Sequence, residues 1–341
     1  MTDLLETHKV SQSNHLRNAK PRAVLMANNV SWYPGDVMQY VFGPERIKRI
    51  GTLCALHPTR ITSQNWEEQL PYLKEAEVIF SCWGMPSLTP QQLDQMPKLK
   101  AVFYAGGSAQ AFAQPFLEHA IIVCSAIAAN AIPVAEFCLA QILLSCKGAF
   151  CNMLECRKGP WTSGPGNVPV GNGVYGETVA LLGIGAISRH LLKLLKPFNL
   201  RIIAVSNYLS PAKARDMGIA ELVDLETAFR EGYVVSNHLA DNTSNKGVLT
   251  GAHFASMREG ATFINTGRGA QVNEAEMIGV FKKRPDLTAL LDVQHPEPPL
   301  AESELFQMPN IHLTSHIAGS ANHEVRRMAD YMIEEFQRWE S

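Results

Sequence analysis

The sequence predicts an α/β protein of two domains built on parallel sheets, and three observations lead there. The chain has 341 residues, more than one hydrophobic core usually serves. Short apolar runs alternate with helix-length spacers in both halves, the pattern of parallel strands joined by crossover helices. A glycine-rich hexad, Gly183-Ile184-Gly185-Ala186-Ile187-Ser188, stands between an apolar run and a helical one. Apolar residues make up 46% of the chain and charged ones 18%, an ordinary globular composition. A net charge of −2 without any Lys/Arg run argues against a nucleic-acid partner.

In the first half, Ala23-Val24-Leu25-Met26, Glu77-Val78-Ile79-Phe80-Ser81 and Lys100-Ala101-Val102-Phe103-Tyr104 read as strands. The last runs straight into Ala105-Gly106-Gly107-Ser108. A helix is expected to begin after Pro133 and to continue toward Cys146. It is apolar nearly all round, so it should be buried against more than one neighbour, within the chain or at a homodimer contact. Ala120–Leu144 is the most apolar region, yet Asn130, Pro133, Glu136 and Gln141 interrupt it. A buried helix, not a membrane span, is therefore expected. Met1–Lys20 is polar and lacks the apolar core of a signal peptide. The seven cysteines are odd in number and never spaced C-x-x-C, which predicts reduced thiols, no metal site and a cytoplasmic location.

Thr162–Gly176 holds five glycines and two prolines and reads as a loop. A second α/β unit then opens with the strand Thr178-Val179-Ala180-Leu181-Leu182, followed by the hexad. A helix ends near Lys196-Pro197, and Arg201-Ile202-Ile203-Ala204-Val205 forms the next strand. Strand, hexad, helix and second strand are the order of a dinucleotide-binding unit; a plain strand–turn–helix is the alternative. Gly183 allows the tight turn and Gly185 a close backbone approach to pyrophosphate. Ala186 and Ile187 open the helix, whose free N–H groups suit an anion. Ser188 stands at the third glycine position. The second strand runs into Val205-Ser206-Asn207-Tyr208 without the carboxylate that binds ribose and repels a 2′-phosphate. Ser206 and Asn207 can donate to a phosphate, so the expected cofactor is NAD(P)H, with the balance toward NADP. No arginine follows directly; Lys213 and Arg215 are the nearest cations.

Three residues near the C-terminus carry committed chemistry. Arg268 lies in Ile264-Asn265-Thr266-Gly267-Arg268-Gly269, Glu297 in Leu291-Asp292-Val293-Gln294-His295-Pro296-Glu297-Pro298, and His316 in Leu313-Thr314-Ser315-His316-Ile317-Ala318-Gly319. A guanidinium, a carboxylate and an imidazole can clamp a small carboxylate and move one proton. They point to 2-oxo or 2-hydroxy acids. Other histidines are rivals. His295, flanked by proline and acids, should face solvent. His312, on a strand, should be a satisfied structural histidine. His238 follows an apolar run.

Taken in order, the hexad, Asn-Thr-x-Arg-Gly, Asp-Val-x-x-x-Glu-Pro and Thr-x-His-Ile-Ala motifs resemble the D-isomer-specific 2-hydroxyacid dehydrogenase family, over roughly Leu99 to Arg338. The resemblance implies a Rossmann-type dinucleotide-binding domain at 131–315. It also implies a flavodoxin-like α/β substrate domain at 1–130 completed by 316–341, with the active site in the cleft between them. It implies that Arg268 holds the substrate carboxylate and polarises the C2 oxygen. His316 would be the acid–base, and Glu297 would pair with its imidazole. Asp292 would face the nicotinamide carboxamide, while His238, Thr266, Gly267 and Gly319 would line the cofactor. Backbone N–H groups of Gly106 and Gly107 would meet the substrate carboxylate.

The chain departs from the family in three places. Ser315 replaces a usual proline, Asp241-Asn242-Thr243 a more apolar segment, and Asn245 a usual threonine. Two other functions share this scaffold: a nucleotide-sensing binding protein like the C-terminal-binding corepressors, and a formate dehydrogenase. Glu297 argues against the second, since formate oxidation needs no acid–base proton and that family has glutamine there.

Overall fold

The computed structural model describes residues 19–161, 168 and 171–341. All of the Met1–Lys20 segment except Ala19 and Lys20 falls outside these, as does most of the front of the Thr162–Gly176 loop. The chain forms two compact units. One comprises the described residues up to Ala105, together with Ala109–Ser125 and Met332–Ser341; the other comprises Gly106–Ser108 and Ala126–Tyr331.

The first unit carries a parallel sheet of β1 (Arg22–Met26), β2 (Ala55–Leu56), β3 (Val78–Cys82), β4 (Ala101–Ala105) and β5 (Ile122–Ser125). Its order is β2-β1-β3-β4-β5, that of the flavodoxin-like doubly wound fold. Every residue of β3 and β4 is buried, because helices cover both faces of a parallel sheet. Phe80 and Phe103 stack side by side, and Phe336 of the last helix, Arg326–Glu340, packs edge-on to both at 5.4 and 5.5 Å. Each such ring, fully buried, contributes about 1.5–3 kcal/mol.

The second unit contains β6 (Glu177–Leu182), β7 (Leu200–Val205), β8 (Glu221–Leu222), β9 (Val234–Asn237), β10 (Thr262–Asn265), β11 (Thr288–Leu291) and β12 (Ile311–Leu313). All pair in parallel, in the order β12-β11-β10-β9-β6-β7-β8. The expected mixed α/β architecture with a Rossmann sheet is present. One face buries Phe229, Phe254, Phe263 and Phe281. The other packs on the long helix Ile127–Cys146 through Val134, Ala135, Cys138 and Ile142.

That helix corrects one expectation. It begins at Ile127, and Pro133 lies inside it, buried. Proline removes a helix hydrogen bond, but the preceding Ala128, Ala129 and Ala131 favour helix strongly, and the core takes up the face. By length and composition this helix could cross a membrane; Val134, Ala135, Cys138, Ile142 and Cys146 pack in the core of the second unit. Ile127 and Leu144 remain exposed. Cys54, Cys82, Cys138 and Cys146 are buried and the other three cysteines partly so; none is disulfide-bonded. Burial pushes the thiols of Cys54, Cys138 and Cys146 up to about 12, which keeps them protonated and inert.

Candidate active site

Adjacent strands in register deliver the three candidate catalytic residues. Asn265 of β10 pairs with Leu291 of β11, and Leu291 with Leu313 of β12. Arg268, Glu297 and His316 each follow shortly after one of these strand ends, at the carboxyl edge where doubly wound sheets bind ligands.

The His316 loop hangs from a buried carboxylate. Asp292 is 1% exposed. Its Oδ1 accepts from Thr314 Oγ1 at 2.6 Å and from the Ile317 N–H at 2.9 Å, and its Oδ2 from the Ala318 N–H at 3.0 Å. The His316 N–H donates to the Asp292 carbonyl at 2.9 Å. These bonds hold His316 in the left-handed region at φ 57°, an uncommon conformation for a side-chain-bearing residue and one that clusters at functional sites. The ring is half-exposed, and its Nδ1 stands 2.7 Å from Glu297 Oε1. Nδ1–H donates to that carboxylate, which leaves Nε2 to carry a transferable proton.

Arg268 is placed by a buried amide cluster. Asn237 donates to Asn265 Oδ1 at 3.0 Å and to Gln271 Oε1 at 2.7 Å. Gln271 Oε1 also accepts the Arg268 N–H at 3.3 Å, and Asn265 Nδ2 donates to the Arg268 carbonyl. Gly269 lies so close to the Gln294 backbone that a Cβ there would stand 2.0 Å from it. This contact sets the Arg268 segment against the strand-end segment that leads to Glu297. The guanidinium donates from Nε to Asp241 at 3.0 Å and from Nη1 to the Gly267 carbonyl at 2.8 Å.

The hexad takes the form its residues imply. Gly183 has φ 87°, and a Cβ there would meet the His238 carbonyl at 2.8 Å, so only glycine fits. Ser188 is fully buried and donates to the Gly183 carbonyl at 2.6 Å, closing the turn where a third glycine would stand. The helix Ala186–Leu195 starts from Gly185 without a side-chain cap, so its first N–H groups, with Ala186 exposed and Ile187 partly so, are available to an anion. His238 is buried beside the turn. Its Nε2 lies 2.9 Å from Ser236 Oγ, while Nδ1 has no partner, and burial pushes the imidazole down to about 4. Ser206 and Asn207 follow β7, whose Val205 carbonyl accepts the Gly183 N–H. Thr266 and Gly267 are buried after β10, and Thr266 Oγ1 lies 3.3 Å from Cys138 Sγ. An uncapped helix start, a turn that excludes a Cβ and an orphaned buried nitrogen fit a dinucleotide.

Sequence reasoning missed Asn130. Its side chain lies 3.2 Å from a Cβ built at Gly107 and 2.9 Å from one built at Gly319. It therefore brings the Gly106–Gly107 loop beside the His316 loop, and its buried Oδ1 has no partner. Asp241 was visible only as a departure, with no sign that it meets Arg268. His295 is exposed as expected. His312 departs from expectation: its buried Nε2 has no hydrogen-bond partner, and the ring instead packs 5.3 Å from Phe150.

Residues 139–318, more than half of the chain, match the model of the D-isomer specific 2-hydroxyacid dehydrogenase NAD binding domain. This chain belongs to the D-isomer specific 2-hydroxyacid dehydrogenase family. The chain is 26% identical over 279 residues to the hydroxypyruvate reductase of Thermotoga maritima, covering 80% of this chain and 89% of that one. It is 25% identical over 270 residues to the D-3-phosphoglycerate dehydrogenase of Methanocaldococcus jannaschii, covering 79% and 50%. A phosphoglycerate oxidoreductase structure from Rhizobium etli shares the fold, with a TM-score of 0.75, 19% identity and coverage of 93% and 94%. The chain spans only 38% to 56% of the length of the first curated relatives it matches. The matched segment is the family's NAD binding domain and includes the hexad, which supports a nicotinamide cofactor.

Proposed function

We propose that this dehydrogenase reduces a small 2-oxo acid to the D-2-hydroxy acid, and catalyses the reverse oxidation, with NADPH or NADH. One observation carries the reading: His316 Nδ1 bonds Glu297 at 2.7 Å on a loop fixed by Asp292, beside the segment that holds Arg268. A bound nicotinamide would supply or accept the hydride. Gly183, Gly185, Ala186 and Ile187 would hold its pyrophosphate, Ser206 and Asn207 its adenosine end, and His238, Thr266, Gly267, Asp292 and Gly319 the remainder.

The protein's own groups do the rest. The Arg268 guanidinium keeps N–H groups beyond those given to Asp241 and Gly267, enough to bind the substrate carboxylate and polarise the C2 oxygen. Gly106 and Gly107 offer further N–H groups to the carboxylate. Glu297 accepts from Nδ1–H and orients the ring, so that Nε2 donates its proton to the C2 oxygen in reduction and takes it back in oxidation. The absence of a carboxylate at Ser206 and Asn207 supports NADPH over NADH. The exposed Ile127 and Leu144 on the long helix support a homodimer through it. The unpaired thiols support a cytoplasmic location.

The test is cofactor oxidation, with NADH and NADPH in parallel, across glyoxylate, hydroxypyruvate, pyruvate and branched or aromatic 2-oxo acids. Turnover of at least one acid is expected, and none by a folded preparation would defeat the proposal. His316→Asn should lose turnover by about 10²–10⁴-fold while still binding cofactor. Undiminished turnover would remove His316 from its role.

A further inference from the structure

We propose that Asp241 determines substrate charge, restricting the site to 2-oxo acids whose only anionic group is the carboxylate that Arg268 binds. The proposal rests on the reductase reading above and names its substrate class. Arg268 Nε donates to Asp241 Oδ2 at 3.0 Å, with the two side chains 37% and 47% exposed. An ion pair this open to solvent adds little stability, so it matters chiefly for what approaches the guanidinium.

The backbone fixes Asp241 in place independently of its ion pair. Gln271, 2% exposed, accepts the Arg268 N–H through Oε1 and donates through Nε2 to the carbonyls of Leu239 and Ala240, both at 3.0 Å. One buried side chain thus spaces the Arg268 backbone from the residue before Asp241. Asn245 donates to the same Ala240 carbonyl at 2.8 Å. Asn242 caps the short turn Thr243–Asn245 by accepting the Asn245 N–H at 3.0 Å. The Asp241 carboxylate is therefore presented to the guanidinium in advance and does not swing in from solvent.

The electrostatic consequence follows from the four groups of two ion pairs, Arg268–Asp241 and His316–Glu297. When His316 is protonated for reduction, its charge and that of Arg268 are matched by Glu297 and Asp241. A single carboxylate can still take the unused Arg268 N–H groups. A second anionic group, whether phosphate, sulfonate or carboxylate, finds no uncompensated cation among these four and meets the field of Asp241. At a separation of about 6 Å and intermediate dielectric, one such repulsion amounts to roughly tenfold in affinity.

Two readouts test this. In steady-state kinetics the wild type should favour pyruvate, glyoxylate and hydroxypyruvate over oxaloacetate, 3-phosphohydroxypyruvate and sulfopyruvate. Asp241→Asn, which keeps shape and an acceptor, should raise the dianion-to-monoanion ratio of kcat/KM by about tenfold, and the gain should shrink with added salt. In calorimetry with cofactor present, oxamate and oxalate, nearly equal in size but one charge apart, serve as ligands. Wild type should bind oxamate more tightly, and Asp241→Asn should close the gap. If no 2-oxo acid is turned over, the reductase reading fails, while the oxamate–oxalate comparison still decides the role of Asp241. A wild type that prefers dianions, or a variant with an unchanged charge ratio in both assays, overturns the proposal. Equal losses for both substrate classes would also overturn it, showing that Asp241 only orients Arg268.

Discussion

Replacing Asp292 by asparagine should loosen the loop that carries His316, and the size of the effect can be worked from its hydrogen bonds. The carboxylate accepts from Thr314, Ile317 and Ala318 while 1% exposed. An amide keeps one acceptor oxygen, so Thr314 and Ile317 retain bonds that drop from charge-assisted to neutral strength. The new NH₂ group then faces the Ala318 N–H, donor against donor, and leaves it unsatisfied. Bonds to charged groups are worth about 1.5–3 kcal/mol against about 1 for neutral ones, and an orphaned donor costs about 1–3. The asparagine is cheaper to bury than the carboxylate, which offsets part of this. The net loss should be about 2–4 kcal/mol of loop stability. Native-state hydrogen exchange reads it directly: protection of the Ile317 and Ala318 N–H groups should fall roughly 30- to 1,000-fold, with kcat/KM falling in parallel. Thr314→Val, which deletes one bond and strands no backbone donor, should cost about 1 kcal/mol. Unchanged protection at Ile317 and Ala318 would refute the reasoning, since the loop would then be held by something other than Asp292.

Two further outcomes follow. His238 is held near 4, below the ordinary 6.5, by burial, so the unfolded chain takes up a proton first as pH falls. The stability that its neutral form contributes is complete above 6.5 and lost on the way down to about 4, amounting to about 3 kcal/mol. Urea denaturation should show the advantage of wild type over His238→Gln shrinking by that amount between pH 7 and pH 4, and parallel curves would contradict it. Gly269→Ala would drive a methyl group into the Gln294 backbone, 2.0 Å away. The displaced Arg268 segment should cost about 10²-fold in kcat/KM alongside about 1–3 kcal/mol of stability; kinetics within twofold of wild type would show that the approach is not required.

The fold was legible because its signals are local. A mostly apolar β3 or β6 leaves few alternatives to a parallel sheet, and the hexad announces its own turn. The motifs around Arg268, Glu297 and His316 were legible for a related reason: each lies within a few residues of a strand end. Pro133 misled because proline weighs as a helix breaker in the sequence, whereas in the fold the alanines before it and the core around it outweigh one missing bond. The two-residue strands β2 and β8 are too short to show a period. Asn130 and Asp241 escaped for a different cause. Their partners lie far along the chain, at Gly319 and Arg268, and no local pattern encodes which distant glycine or arginine a polar side chain will meet.

The register of β10, β11 and β12 makes chain length a ruler. Asn265, Leu291 and Leu313 end side by side, so the number of residues from each strand end to Arg268, Glu297 or His316 sets where that group stands. One inserted residue, adding up to about 3.3 Å of chain, would carry its group away from its present partners, a displacement no rotamer change can reverse. Sequence drift around these segments should therefore proceed by substitution, with insertions and deletions confined to the loops at the amino ends of the same strands. A library for altered specificity should vary residue identity at the carboxyl edge and leave its spacing alone.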